Sequence, residues 1–202
     1  MAVEIQVLGA VAIRRHGPNP DNGTLSDGQR RLLGVLCAQA GRVVPAERLV
    51  EALGVASLVE VRAAVAELHD LVGDIIRNEP PGYSVVADAV DSQRFLRLVT
   101  EARSLDSARA ADVYDEALRL WRGPAFAEFA DEEWAGSEAQ RLDALRTKAR
   151  AERAALSTAA REREASGLGD RRPRRAWAVR PLRAATARWA VRSRPTSTGR
   201  RR

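Results

Sequence analysis

Ser57 to Tyr83 reads SLVEVRAAVAELHDLVGDIIRNEPPGY, and this stretch decides the fold. Ser57 with Glu60 three residues later is a capping box, which starts a helix. Leu58, Val61, Val65, Leu68 and Val72 recur at spacings of three and four, giving one apolar stripe about four turns long. Gly73 suits the end of that helix. Two β-rich runs follow, Asp74 to Arg77 and Tyr83 to Ala87, joined through Pro80-Pro81-Gly82, which is turn chemistry. The spacing thus predicts a helix running directly into a two-stranded wing.

Working outward from there, residues 2–15 alternate in two short runs broken at Gly9, the pattern of an antiparallel hairpin. Residues 16–25 are loop by composition. Ser26, with Gln29 in the reciprocal position, caps a helix whose buried face is Leu32, Leu33, Leu36, Cys37 and Ala40. Pro45 opens a short helix with Leu49, Val50 and Leu53, closed by Gly54. The expected order is β–α–α–α–β, an α+β winged helix-turn-helix with an N-terminal hairpin over residues 1–89. Such a unit presents its third helix and wing to a DNA duplex.

Beyond Asp88 the pattern is all helical. Asp91 is expected to cap a helix burying Phe95, Leu98, Val99 and Ala102. Asp106 caps a second with Ala111, Tyr114, Ala117, Leu118 and Trp121 inward, and Gly123-Pro124 breaks the run. A long helix from near Asp131 carries Trp134, Leu142, Leu145, Ala149 and Leu156. Paired helices of this kind read as tetratricopeptide-like hairpins over residues 90–160. Only one full hairpin and one unpaired helix are present, whereas such arrays need about three repeats to bury their faces. The face of Leu142, Leu145 and Leu156 should therefore lack its usual partner helix, and the expected consequence is marginal stability, self-association, or docking of that face onto the winged helix.

Charge divides unevenly. Residues 1–89 hold 8 Arg against 11 acids, and residues 90–156 hold 11 Arg or Lys against 13 acids. Residues 157–202 hold 14 Arg against 3 acids. All the net +6 therefore comes from the tail, and the high basicity says nothing about nucleic-acid binding by the body. Pro173, Pro181 and Pro195 interrupt residues 161–202, which lack an apolar face and read as a disordered Arg-rich tail. That tail is read three ways: a DNA-grasping arm, an electrostatic partner of the acidic body, or the product of GC-rich coding read out of frame. The lone Cys37 lies on an apolar helix side and reads as a structural thiol, with no disulfide framework. His16 and His69 stand alone, and no phosphate loop, dinucleotide fingerprint or nucleophile elbow occurs. Neither an enzyme nor a cofactor is expected. With no 18-residue apolar run and no leader pattern, a cytoplasmic protein with no membrane partner is expected. Trp121, Phe126 and Trp134 read as core of the helical hairpins rather than as a groove.

The order of motifs resembles the Streptomyces antibiotic regulatory proteins, in which a response-regulator-type winged helix precedes a bacterial transcriptional activation domain. The matching stretches are VEIQVLG, GQRRLLGVLCAQAGRVV, ERLVEAL, PPGY at Pro80 to Tyr83, VDSQRF at Val90 to Phe95 and EALRLWRGPAF at Glu116 to Phe126. The last is the most specific, because an aromatic, a base and the Gly-Pro break fall together. The resemblance covers about residues 1–156 and implies an activator of secondary-metabolite genes. The partners it implies are double-stranded promoter DNA and RNA polymerase, with a homodimer as a further candidate.

Departures fall on the reading residues. Where the family has a pattern like Ser-Arg-Leu-Arg-Arg-x-Leu-Gly, this chain has Ala66-Glu67-Leu68-His69-Asp70-Leu71-Val72-Gly73, and Asn78-Glu79 replace Thr-Arg at the wing. The turn before the helix is shortened to Gly54-Val55-Ala56. Projected at about 100° per residue, the outward face holds Val59, Glu60, Ala63, Ala66, Glu67 and Asp70, with Arg62 on the flank. DNA affinity rests on cations meeting phosphates. The candidates are Arg30, Arg31, Arg42, Arg48, Arg62 and Arg77. The alternative is a chain that has lost DNA binding and modulates a related regulator or RNA polymerase by protein contact.

Overall fold

The computed structural model describes residues 2–16 and 24–169. The chain opens with β1 (Ala2–Gln6) and β2 (Ala12–His16), an antiparallel pair in which Ile5 faces Ile13. Helix α1 (Asp27–Ala38) has both arms of its capping box, Gln29 N–H to Ser26 Oγ and Ser26 N–H to the Gln29 carboxamide. A two-residue strand β3 (Val44–Pro45) leads into α2 (Ala46–Leu53) and then α3 (Leu58–Val72). The wing is β4 (Ile76–Glu79) and β5 (Gly82–Val85). The three strands order as β3-β5-β4, all antiparallel.

Three sequence expectations shift here. The first wing strand starts at Ile76 and not at Asp74, because Gly73–Ile75 closes into a 3-10 turn. The second strand ends at Val85, with Ala87–Ala89 in another such turn. Leu58 is 38% exposed and stands outside the stripe, which comprises Val61, Val65, Leu68 and Val72. Being the first residue of α3, Leu58 has no preceding turn to pack beneath. β3 was not anticipated, since two residues carry no alternation. Gly82 makes it necessary: a Cβ there would lie 1.9 Å from the Val44 carbonyl oxygen, so only glycine permits β5 to approach β3.

Helices α4 (Asp91–Ala102) and α5 (Ser107–Arg119) form an antiparallel hairpin, and Asp106 caps α5 by accepting from Arg109 N–H. The helix α6 (Glu133–Gly169) then runs for 37 residues. It packs along α5, where Arg153 forks onto Asp115 at 2.9 and 2.8 Å and Glu152 accepts from both Tyr114 and Arg103. Leu142 and Ala149 are fully buried on that seam, and Leu145 and Leu156 pack partly buried beside it. The expected unpartnered face is thus largely covered. Arg161 to Gly169, placed in the disordered tail by the sequence reading, continue α6. They do so without an apolar stripe, through good helix formers such as Ala, Arg and Glu. Residues 170–202, to which the rest of that reading applies, lie outside the described residues.

The start of α6, ahead of the Leu142–Leu156 face, docks on the winged helix. A Cβ on Gly34 of α1 would lie 2.8 Å from the Trp134 ring, so the bare backbone of α1 forms the seat for that indole. Phe126 and Phe129 hold the indole from other sides at centroid distances of 6.1 and 5.3 Å. Trp121 packs edge-on to Phe95 at 5.3 Å. Trp121, Phe126 and Phe129 are buried in the core, whereas Trp134, expected in the core of the helical hairpins, is partly buried and packs on α1.

Asp91 departs from expectation. The N-cap of α4 is Val90, and no side chain caps it. The Asp91 carboxylate, 2% exposed, instead accepts from Val7 N–H at 2.8 Å and Leu8 N–H at 3.2 Å, at the turn of the first hairpin. Around the same turn, Arg122 N–H donates to Leu8 O, Phe126 N–H to Val7 O and Ala127 N–H to Gly9 O. Val11 N–H donates to the Glu128 carboxylate at 3.3 Å. The hairpin turn is thereby sewn into the α4–α6 part, and one connected apolar core runs from Ile5 to Ala149.

Burial pushes the Asp91 carboxyl up to about 6, against the opposing pull of the two N–H donors and of Arg122 at 3.8 Å. A folded-state value above the unfolded one of about 3.9 means that the folded chain holds the proton longer. The contribution is then complete below about pH 4 and is lost as pH rises to about 6, by about 3 kcal/mol. In urea titrations, the stability of the wild type relative to Asp91→Asn should fall by about that amount between these limits; a difference independent of pH would contradict it. Gly82→Ala should cost about 2–4 kcal/mol by forcing β5 off β3, read as a lowered urea midpoint. An unchanged midpoint would show that the strands can separate without loss.

Candidate nucleic-acid interface

Helix α3 is held from three sides. Its buried stripe packs on α1 and α2, its C-terminal end receives Arg15 of β2, whose guanidinium donates to Leu71 O at 3.2 Å, and its last turn runs into the wing. Its start is fixed by Ser57, which accepts from Glu60 N–H at 3.4 Å and donates its hydroxyl to the Glu60 carboxylate at 3.1 Å. That second bond replaces the reciprocal arm of a capping box, so Glu60 is occupied by its own cap.

The opposite face of α3 is open. Val59, Glu60, Arg62, Ala63, Ala66, Glu67, His69 and Asp70 are all exposed, and Val59 is 71% exposed. Leu58 and Val59 are two of the three large apolar side chains exposed among the described residues. His69 lies 3.6 Å from Asp74. On the wing, Arg77 and Asn78 are exposed and Glu79 is half-buried. Ala63 and Ala66 leave the middle of the face low, so a groove wall could approach the helix backbone closely there.

The six candidate arginines do not converge on this face. Arg30 is tied to Asp27, to Leu25 O at 3.2 Å and to Glu128 at 3.6 Å. Arg31 pairs with Glu132 at 2.7 Å, reaches Ala52 O and lies over the Phe129 ring at 5.7 Å. Both therefore brace α1 against the segment between α5 and α6, through acids about a hundred residues away in sequence. Arg48 is 74% exposed and only loosely held by Glu51 at 3.8 Å. Arg42, Arg62 and Arg77 are exposed, and their guanidinium groups make no ion pair among the described residues. Sequence reasoning missed the exposure of Leu58 and the anchoring role of Arg15, and no local signal marks either.

Other chemistry finds no support in the geometry. Among the described residues no group of His, Cys, Asp and Glu could hold a metal ion. No helix there is long and apolar enough to cross a membrane. Cys37 is buried, and burial raises its thiol well above the usual range, which makes it a poor nucleophile.

Comparison with known proteins agrees with this arrangement. The family model "Bacterial transcriptional activator domain" matches residues 90–192, extending past residue 160, where the helical part was expected to end. The transcriptional regulator RedD of Streptomyces coelicolor is 34% identical over 143 residues, covering 61% of this chain and 40% of RedD. Among solved structures, Mycobacterium tuberculosis EmbR in complex with a low affinity phosphopeptide superposes with a TM-score of 0.70 at 22% identity. That superposition covers 81% of this chain and 48% of EmbR, and it supports the shared fold, a winged helix ahead of an activator domain. The chain spans less than half the length of either relative. It belongs to the bacterial transcriptional activator domain family.

Proposed function

We propose that the chain binds promoter DNA in a sequence-specific manner and activates secondary-metabolite or pathway genes. Helix α3 enters the major groove and the β4–β5 wing lies along the neighbouring backbone. The observation that carries this reading is the open face of α3 beside an exposed wing, in a chain of a regulator family. Phosphates are met first by Arg42, Arg48, Arg62 and Arg77, whose guanidinium groups are not held by Glu128 or Glu132 as those of Arg30 and Arg31 are. Residues 1–89 form the DNA-binding unit, and a tetratricopeptide-like unit over residues 90–160 contacts RNA polymerase. Residues 161–202 form an Arg-rich extension, and two copies occupy repeated half-sites.

A second reading is favoured by the acids. Glu60, Glu67 and Asp70 face outward where bases would serve phosphate contact better, which suits a chain that modulates a related regulator or polymerase through protein contact.

The two separate in an anisotropy titration of the full chain against the duplex upstream of its own gene, at about 50 and about 200 mM salt. The DNA reading expects saturable binding above that of a scrambled duplex, with a salt slope near −4 for about four phosphate contacts plus any from the tail. Arg62→Ala and Arg77→Ala should each reduce affinity about five- to tenfold and lower the slope by about one. Binding that ignores sequence, or that neither substitution changes, would select the second reading.

A further inference from the structure

The acids on α3 are informative if the helix does meet DNA. In the major groove, guanine offers acceptors at O6 and N7, thymine an acceptor at O4, and adenine a donor at N6 beside an acceptor at N7. Cytosine alone offers a donor, N4–H2, with no acceptor of its own beside it. A carboxylate only accepts, so among the four bases it fits cytosine best.

Of the three acids, Glu60 already holds the Ser57 hydroxyl at 3.1 Å, and Asp70 is short and lies in the last turn. Glu67 is exposed, has no ion pair among the described residues, and rises next to Ala63 and Ala66, whose small side chains let the helix sit deep. One long acceptor standing above two methyl groups can reach a base edge. Val59, 71% exposed, lies eight residues earlier on the same face, about 12 Å along the helix or three to four base steps away.

We propose that Glu67 is the specificity-determining residue of this face: its carboxylate accepts from the N4 amino group of a cytosine, while Val59 and Ala63 lie against thymine methyl groups to one side. This rests on the DNA-binding reading and names the class of operator it takes. The operator contains a cytosine at the position facing the middle of α3, not the guanine that an arginine there would select. Arg62, on the flank of the same helix, supplies the phosphate contact that holds an acidic face against a polyanion.

The test is selection by the full chain from a pool of duplexes with a randomised central segment, followed by sequencing, for wild type, Glu67→Gln and Glu67→Arg. The wild type should enrich cytosine at one position of each half-site, and replacing that base by guanine should weaken binding about tenfold or more. Glu67→Gln should move the preference at that position to adenine and Glu67→Arg should move it to guanine, with the other positions retained. Enriched sites whose every position is unchanged in both variants would overturn this inference and leave DNA binding standing. No enrichment by the wild type would overturn both.

Discussion

The carboxylate of Asp91 holds two successive backbone N–H groups of the first hairpin's turn from inside the core, at 2.8 and 3.2 Å. Leaving a buried amide without an acceptor costs on the order of 1–3 kcal/mol, and the turn at Val7 and Leu8 has two such donors pointing inward. No strand can serve them, because β1 ends at Gln6 and β2 does not begin until Ala12. Placing the acceptor on the first residue of α4 fixes the hairpin against the helical part, and the carbonyls of the same turn are taken by Arg122, Phe126 and Ala127 N–H. Donors and acceptors of one five-residue turn are thus satisfied by a segment more than eighty residues away. The winged helix and the helices that follow it are consequently continuous in packing as well as in sequence.

That continuity explains where the charge of the body goes. Arg30 and Arg31 on α1, Arg94 on α4, Arg103 just after it, Arg122 after α5 and Arg153 on α6 each lie within 4 Å of a carboxylate. Several of these pairs cross between elements, such as Arg31 with Glu132 and Arg153 with Asp115. Half-exposed pairs of this kind contribute little individually to stability. Their larger effect is subtractive, since arginines directed at internal acids are not available to a polyanion. Of the candidate arginines, those without an ion pair among the described residues stand on separate elements: Arg42 after α1, Arg62 on α3 and Arg77 on β4.

Local signals in the sequence carried the elements well. The Ser26–Gln29 box, the apolar stripe of α3 and the Pro-Pro-Gly turn each lie within a few residues of the structure they specify, so periodicity and capping chemistry suffice to place them. The outward face of α3 followed from the same geometry. What sequence could not convey were relations across long separations. An aspartate at the first turn of a helix looks like a cap, and nothing near Asp91 reveals that its partners are Val7 and Leu8. Arg30 and Arg31 looked like exposed bases on a DNA-binding helix because their acids, Glu128 and Glu132, come a hundred residues later. β3 is too short to alternate, and Arg161 to Gly169 extend α6 by propensity alone, with no apolar stripe to announce it.

A winged helix fixed in this way to the helices that follow it behaves differently from one on a flexible tether. Gly34 of α1 meets the ring of Trp134, Arg31 of α1 meets Glu132, and the hairpin turn meets Asp91 and the segment from Arg122 to Glu128. Two of those contacts pin α1 to the start of α6 and the third pins the first hairpin to the helices that follow, so the two parts are joined at more than one place. For a regulator, the distance and angle between the face of α3 and the outer surfaces of α4 and α6 are then built into the fold. A partner bound to those helices would be placed at a set position relative to whatever α3 engages.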